Sequence, residues 1–101
     1  MIFKSDLTKG VLTVTIRGEL DEHSARETRE YLDDLIRKER FRVLVLDLKE
    51  VGFMDSTGIG LLLGRYKKLK ADGAELCVSH LNEQIDKVFR VSGLYQIIKA
   101  V

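Results

Sequence analysis

The chain has 101 residues, which is the size of one domain with a single hydrophobic core. Hydrophobic residues make up 45% of it and charged residues 33%, and this balance excludes a disordered or collagen-like chain. The 17 Lys and Arg residues almost balance the 16 Asp and Glu residues, so the formal charge of +1 gives no electrostatic reason to expect a nucleic acid or an anionic membrane as a partner.

The sequence carries no clear signal for metal binding or for targeting. A single cysteine excludes an internal disulfide, and one cysteine with two histidines is a poor set of metal ligands. The longest apolar run, 59–64, is too short to cross a bilayer, and the first residues lack the charged and apolar zones of a signal peptide. We therefore predict one soluble cytoplasmic domain over 1–101 that binds no metal or other cofactor.

The first part of the chain predicts a β-hairpin followed by a helix. Alternating β-branched residues and a turn containing Gly10 indicate the hairpin, and the segment 18–21 interrupts the strand pattern. Ser24 and Glu27 have the spacing of a capping box at a helix N-terminus. The predicted elements are strands over 2–6 and 11–17 and a helix over about 24–39.

The remainder of the chain predicts alternating strands and helices. The continuous apolar run at 43–48 is typical of a strand covered on both faces, and a loop follows it through 51–54. The later elements are a helix over 57–71, a strand over 74–79, a helix that begins after Asn82 and a last strand over 97–101. The order β-β-α-β-α-β-α-β predicts an α/β domain with a mostly parallel sheet, an N-terminal hairpin and helices packed on the sheet.

The polar residues that follow two of the predicted strands are expected to meet. In open parallel sheets the functional crevice lies at the carboxyl ends of the strands. The loops after 11–17 and 43–48 leave the sheet at that end, and they carry Asp21 and the segment Asp55-Ser56-Thr57-Gly58.

The Asp-Ser-Thr-Gly segment allows two interpretations. Any of Asp55, Ser56 and Thr57 could cap the following helix, which is the common use of such residues. Alternatively, Gly58 and Gly60 leave the helix start sparsely covered, and its free amides and partial positive charge could hold a phosphate or a phosphorylated Ser56.

Sharper catalytic motifs do not fit. The spacing of Gly58, Gly60 and Gly64 differs from a dinucleotide fingerprint, and the chain contains no P-loop. Ser56 lacks the flanking glycines of a hydrolase nucleophile. We expect Gly60 and Gly64 to permit close helix packing, and Cys77 to be a small core residue.

The basic residues of the second helix are expected to be solvated. They lie on the polar side of its amphipathic pattern, which is the ordinary position for lysine and arginine. These residues are Arg65, Lys67, Lys68 and Lys70.

Three segments of the chain are informative together. They are Gly18-Glu19-Leu20-Asp21, Phe53-Met54-Asp55-Ser56-Thr57-Gly58-Ile59-Gly60 with Leu63-Gly64-Arg65-Tyr66-Lys67, and Val91-Ser92-Gly93-Leu94. In order and over nearly the whole chain, these segments resemble the STAS domains of bacterial anti-sigma factor antagonists. Within that group, the Gly-Arg-Tyr-Lys stretch and the Ser-Gly-Leu-Tyr-Gln-Ile-Ile ending are most similar to the sporulation antagonists of anti-sigma F factor, and the general-stress antagonists come second.

The resemblance implies a regulatory binding protein and not an enzyme. The unmodified form would bind an anti-sigma factor that is also a serine kinase, and so free the sigma factor. Phosphorylation would reverse this, and a metal-dependent serine phosphatase would reset the protein. ATP or ADP and its metal would belong to the kinase.

The resemblance also assigns residues. Ser56 aligns with the phosphorylated serine, and Asp21 with the aspartate of the neighbouring loop. The rim around the phosphorylation site would be completed by Asp55, Thr57, Gly58, Ile59 and Gly60. Members of this group commonly continue into a further C-terminal helix, whereas this sequence ends at Val101. The alternatives are a STAS module of a stress-signalling assembly and a nucleotide-binding domain that uses the glycine-rich helix start.

Overall fold

The computed structural model describes all residues, 1–101, and contains one five-stranded sheet, three α-helices and a short 3-10 turn. The elements are β1 (Ile2–Thr8), β2 (Val11–Leu20), α1 (Ala25–Lys38), β3 (Val43–Met54), α2 (Ser56–Ala71), β4 (Glu75–Ser79), α3 (Glu83–Ser92), the 3-10 turn (Leu94–Gln96) and β5 (Lys99–Ala100). The predicted order of strands and helices is confirmed, and the 3-10 turn is an addition.

The strands lie in the sheet in chain order, β1-β2-β3-β4-β5. β1 and β2 are antiparallel, and all other neighbouring pairs are parallel. Lys9 and Gly10 form the two-residue connection of the hairpin, with φ of 50° and 80°. Positive φ at both positions is the requirement of a type I′ turn, whose twist matches that of the flanking strands.

The three helices cover the same face of the sheet. Because each parallel strand follows its neighbour in one direction, right-handed crossovers place α1, α2 and α3 together. Alternate residues of the three central strands form one buried cluster with side chains from all three helices. Its members include Leu12, Val14, Ile16, Leu44, Leu46, Leu48, Leu76, Val78, Leu32, Leu62, Leu69, Ile85 and Phe89.

The prediction that β3 is covered on both faces holds only in part, because helices pack on one face alone. Leu44, Leu46 and Leu48 belong to the core cluster, whereas Val45 and Asp47 point to the opposite face. Val45 is nevertheless buried, and Asp47 is half-buried. The apolar run therefore looks continuous because a valine occupies the side without helices.

Both β2 and β3 are longer than predicted. The predicted break at 18–21 is wrong for 18–20, which belong to β2, and the predicted loop at 51–54 is wrong because all four residues belong to β3. The pairing of these strands shifts register between Thr15 and Arg17 and again between Gly18 and Glu19. Such bulges break the two-residue alternation on which strand prediction depends. The extension makes Leu20 and Met54 register partners at the carboxyl edge of the sheet.

No helix of the structure is both long and apolar enough to span a membrane.

Candidate functional site

The N-terminus of α2 is capped by one side chain. The Asp55 carboxylate Oδ1 accepts hydrogen bonds from the backbone N–H groups of Thr57 at 2.9 Å and Gly58 at 3.2 Å. The side chains of Ser56 and Thr57 are exposed, and their hydroxyls have no hydrogen-bond partner in the protein. Asp55 thus performs the capping role that the sequence left open among three residues. The Ser56 hydroxyl is exposed and takes no part in the cap.

The cap changes the expectation that a phosphate would find free amides here. The amides of Thr57 and Gly58 already bond to Asp55, and the amide of Ile59 donates to the Asp55 carbonyl at 3.0 Å. A phosphate on Ser56 would therefore lie beside the Asp55 carboxylate and not replace it.

Gly58 permits the close approach of α2 to the end of β2. A Cβ atom at this buried position would collide with the backbone oxygen of Leu20 and come within 2.8 Å of the Met54 side chain. At Gly60 and Gly64 a Cβ atom would meet nothing within 4 Å, so the prediction that this pair permits close packing is wrong. The packing role belongs to Gly58 alone.

Asp21 lies at the same edge of the sheet as this cap. It follows Leu20, whose carbonyl accepts a hydrogen bond from the Asp55 N–H at 3.3 Å. The Asp21 carboxylate Oδ1 accepts from the backbone N–H groups of His23 at 3.0 Å and Ser24 at 3.1 Å. The structure therefore brings the two predicted loops together, and it gives Asp21 a local role in ordering its own turn.

The predicted capping box of α1 is absent. The Ser24 hydroxyl accepts a hydrogen bond from the Asp21 N–H at 3.2 Å and donates to the Glu19 carbonyl, so it does not cap the helix. The Glu27 carboxylate instead lies 3.2 Å from the amino group of Met1. Ser24 therefore stabilises the turn that carries Asp21.

The remaining rim residues form the first turns of α2. Ile59 is half-buried and packs against the core, whereas Gly60 is exposed. Beside them lie residues of α3 that sequence reasoning did not select. Lys87, Val88, Val91 and Ser92 line one groove together with Ser56 and Ile59. Val91 and Ser92 belong to a segment that carries the family resemblance, but nothing in the sequence marks the four residues as neighbours of Ser56, because only the packing of α3 beside α2 brings them to the site.

The basic residues of α2 are not uniformly solvated. Arg65 Nε lies 3.1 Å from the Asp33 carboxylate of α1, and its side chain is only 12% exposed. Lys68 Nζ lies 3.3 Å from the same carboxylate oxygen. The expectation of a solvated face is therefore wrong for Arg65, which ties α2 to α1 away from Ser56.

The other reactive side chains lie away from the Ser56 loop. Cys77 is buried, as predicted, and this burial, with a smaller effect from Glu75, raises the pKa of its thiol. His80 Nδ1 lies 3.4 Å from the Asp47 carboxylate and 3.2 Å from the Ser79 hydroxyl. Nowhere do three or more His, Cys, Asp or Glu side chains form a group that could hold a metal ion.

The sequence matches the STAS domain family over residues 4–101. The chain belongs to this family. Among curated STAS relatives, the anti-sigma F factor antagonist of Paenibacillus polymyxa is 39% identical over 90 residues, which cover 89% of this chain and 77% of the relative. The anti-sigma-B factor antagonist of Bacillus subtilis is 39% identical over 87 residues, covering 86% and 78%.

Solved structures confirm the STAS fold. The unphosphorylated anti-sigma factor antagonist SpoIIAA superposes with a TM-score of 0.81 at 27% identity, covering 99% of this chain and 88% of the other. The phosphorylated form of the Bacillus cell fate determinant SpoIIAA gives a TM-score of 0.73, covering 99% and 91%. The resemblance read from the three sequence segments is thus confirmed.

Proposed function

We propose that this STAS domain is an anti-sigma factor antagonist that is switched off by phosphorylation of Ser56. Its curated relatives carry the name of antagonists of anti-sigma F and anti-sigma-B factors, and SpoIIAA is known in a phosphorylated form. The observation that carries the proposal is the Ser56 hydroxyl, which is exposed and unbonded directly after the capping aspartate. A kinase can reach this oxygen without unfolding the helix.

The charge of a phosphate explains how the switch would work. A seryl phosphate adds about −1.5 to −2 charges at neutral pH. Asp55 and Asp21 already place carboxylates at this edge of the sheet. A partner surface that fits the neutral hydroxyl would bury this added charge beside two carboxylates, which costs several kcal/mol and lowers affinity by more than about a hundredfold.

The partner supplies the chemistry of the cycle. In this proposal the anti-sigma factor is itself a serine kinase that holds the ATP or ADP and its metal, and binding of the unmodified antagonist in the cytoplasm frees the sigma factor. A metal-dependent serine phosphatase restores the hydroxyl. The rim residues Asp21, Asp55, Thr57, Ile59 and Gly60 contact the kinase, whereas Gly58 positions the helix.

A sporulation pathway is the favoured setting, and a general-stress pathway is the alternative. The Ser-Gly-Leu-Tyr ending and the Paenibacillus polymyxa relative support the first. The Bacillus subtilis anti-sigma-B factor antagonist supports the second at the same identity. Competitive binding of the chain to purified anti-sigma kinases of both classes from its own genome would separate them.

The experiment that tests the switch combines phosphorylation with binding. The chain is incubated with each purified anti-sigma kinase and magnesium ATP, the phosphorylated residue is mapped by mass spectrometry, and both forms are titrated with the kinase. We expect modification at Ser56 and tight binding by the unmodified form alone. Modification at Thr57, or equal binding by both forms, would contradict the proposal.

Nucleotide binding by this chain itself is the weaker alternative. Two of the helix amides that would hold a nucleotide phosphate, those of Thr57 and Gly58, bond to Asp55, and the segment 55–60 contains no lysine or arginine. A carboxylate at that position repels phosphate. Absence of ATP binding by the isolated chain in calorimetry would agree with this reasoning.

A further inference from the structure

The groove between α2 and α3 begins at Ser56 and has a volume of about 350 Å³. We call it the α2–α3 groove. Its apolar lining is supplied by Met54 from the end of β3, Ile59 from α2, and Val88 and Val91 from α3. An apolar groove that opens beside a modifiable side chain is suited to receiving a side chain of a partner.

On the α3 side of the groove, folding alone does not account for Val91. The core of α3 is formed by Ile85 and Phe89, which are fully buried. Val88 is half-buried at the edge of the core, and Val91 is 79% exposed. A valine so exposed gains almost nothing from the core, but it continues the apolar lining of the groove, and contiguous apolar surface of this kind marks interaction sites.

The groove also contains one carboxylate and one cation. The carboxylate, Asp55, accepts hydrogen bonds from the α2 backbone, whereas the cation is unpaired. Lys87 lines it beside Ser56 and makes no hydrogen bond or ion pair in the structure. The neighbouring carboxylate, Asp86, is occupied by Arg90 at 2.7 Å and by the Tyr95 hydroxyl at 2.5 Å. Lys87 is therefore available to a carboxylate from outside the chain.

We infer that the α2–α3 groove receives an apolar side chain of the anti-sigma factor whose neighbouring acidic residue pairs with Lys87. The occupant is a protein segment of apolar and acidic character, and the groove is continuous with the surface proposed above for the same partner. A phosphate on Ser56 would then compete with the partner's carboxylate for Lys87. This inference rests on the proposed function, and it adds α3 and Lys87 to the contact surface.

The test measures binding of the unphosphorylated chain to the purified anti-sigma kinase that phosphorylates it. Val91→Asp and Lys87→Glu should each raise Kd by at least about tenfold, as expected for residues at the centre of a contact. Val101→Asp and Lys67→Glu are the matched controls, because both residues are exposed and lie outside the groove. These controls should bind like the wild type. Thermal denaturation checks that all four variants fold.

A charge exchange provides the second arm. If Lys87 pairs with a carboxylate, substituting the correct acidic residue of the kinase by lysine should restore binding to Lys87→Glu and not to Val91→Asp. If no single replacement of an acidic residue by lysine on the contacting surface of the kinase restores binding, the proposed pairing with Lys87 is wrong.

The outcomes separate this inference from the proposed function. Ser56→Glu serves as the reference variant for the switch. If the wild type binds the kinase and Ser56→Glu does not, while Val91→Asp and Lys87→Glu bind normally, the groove is not a contact and the inference is wrong. If Lys67→Glu weakens binding as much as Lys87→Glu, the loss comes from the change in net charge and not from the groove, and the inference is also wrong. If the wild type binds no anti-sigma kinase, the proposed function fails, and the inference fails with it.

Discussion

At the start of α2, Asp55 alone caps the helix, and the side chain of the adjacent Ser56 takes no part in the cap. Asp55 satisfies the amides of Thr57 and Gly58, so the helix does not need the Ser56 hydroxyl. Helix caps contribute about 1 kcal/mol, and here that contribution belongs to Asp55. Because the cap does not use the Ser56 hydroxyl, a modification of that hydroxyl would leave the cap intact.

Removing the Ser56 hydroxyl tests whether the cap is independent of it. Ser56→Ala should leave the free energy of unfolding within about 0.5 kcal/mol of the wild-type value, because the lost hydroxyl has no partner. The variant should not be phosphorylated and should bind the anti-sigma kinase permanently. Denaturant unfolding and phosphate labelling measure the two effects. Strong labelling of the variant would transfer the acceptor role to Thr57.

Asp21 requires a substitution that separates charge from hydrogen bonding. Asp21→Asn keeps an Oδ1 atom that can accept from the His23 and Ser24 amides but removes the negative charge. We expect an unchanged melting temperature and slower phosphorylation of Ser56. Asp21→Ala is the control, and its lost hydrogen bonds should cost about 1 kcal/mol in unfolding. Normal phosphorylation of both variants would leave Asp21 with only its structural role.

At the scale of elements, the contact between α2 and the end of β2 sets the position of the Ser56 loop. Gly58→Ala would drive a Cβ atom into the Leu20 backbone, and overpacking of this kind costs about 1–3 kcal/mol. Gly60→Ala is a matched control in the same helix. Its Cβ atom meets open space, and replacing a helical glycine by alanine stabilises by about 0.5–1 kcal/mol. Urea unfolding should show opposite signs, and equal effects would refute the packing argument.

The 3-10 turn is joined to α3 through the half-buried phenol of Tyr95. Burial, followed by the hydrogen bond that Tyr95 donates to Asp86, raises the pKa of Tyr95 to about 12 from its ordinary value of 10.0. Because the folded state holds the neutral phenol, this contribution to stability is complete below pH 10 and is lost as the pH rises toward 12.

A phenolate titration by ultraviolet absorbance checks this difference. One of the 3 tyrosines should ionise near pH 12, and Tyr95→Phe should remove that step. Tyr66→Phe is the control and should retain it. A late step that survives in Tyr95→Phe would place the raised pKa on another residue.

At the scale of the whole molecule, the sheet places two polar loops at one edge, and the core packs the helices on one face. All three helices cover one face, and the polar loops leave the carboxyl edge of β2 and β3. A phosphate on exposed Ser56 enters no part of this core. It has no contact through which it could favour a different arrangement of the sheet.

Phosphorylation should therefore act locally. Backbone amide chemical shifts of the two forms are expected to differ around 20–24 and 53–62, and also at 87–92, because that part of α3 lines the groove at Ser56. The shifts of β1 and of the Arg65–Asp33 contact should not change. Large changes across β1 and α1 would indicate a conformational switch and contradict the electrostatic mechanism.

The sequence by itself determined the order of the elements and singled out the Asp-Ser-Thr-Gly segment as the candidate site. Apolar periodicity separates strands from helices over most of the chain, and Gly10, Asn82 and Gly93 mark a turn and the two ends of α3, since their local conformations depend on few neighbours. Ser56 could be selected because the Asp-Ser-Thr-Gly segment is contiguous and its family resemblance extends along the chain.

Only the tertiary structure decided the strand ends, ion pairs and groove, because these features depend on residues that are far apart in the chain. The ends of β2 and β3 extend through bulges, which remove the alternation that reveals a strand. Glu27 contacts Met1 and not Ser24, and Arg65 turns to Asp33, because the competing partners lie on other elements. The α2–α3 groove has no local signature for the same reason: Ser56 and Lys87 are remote in the chain, and only the packing of both helices on one sheet face makes them neighbours.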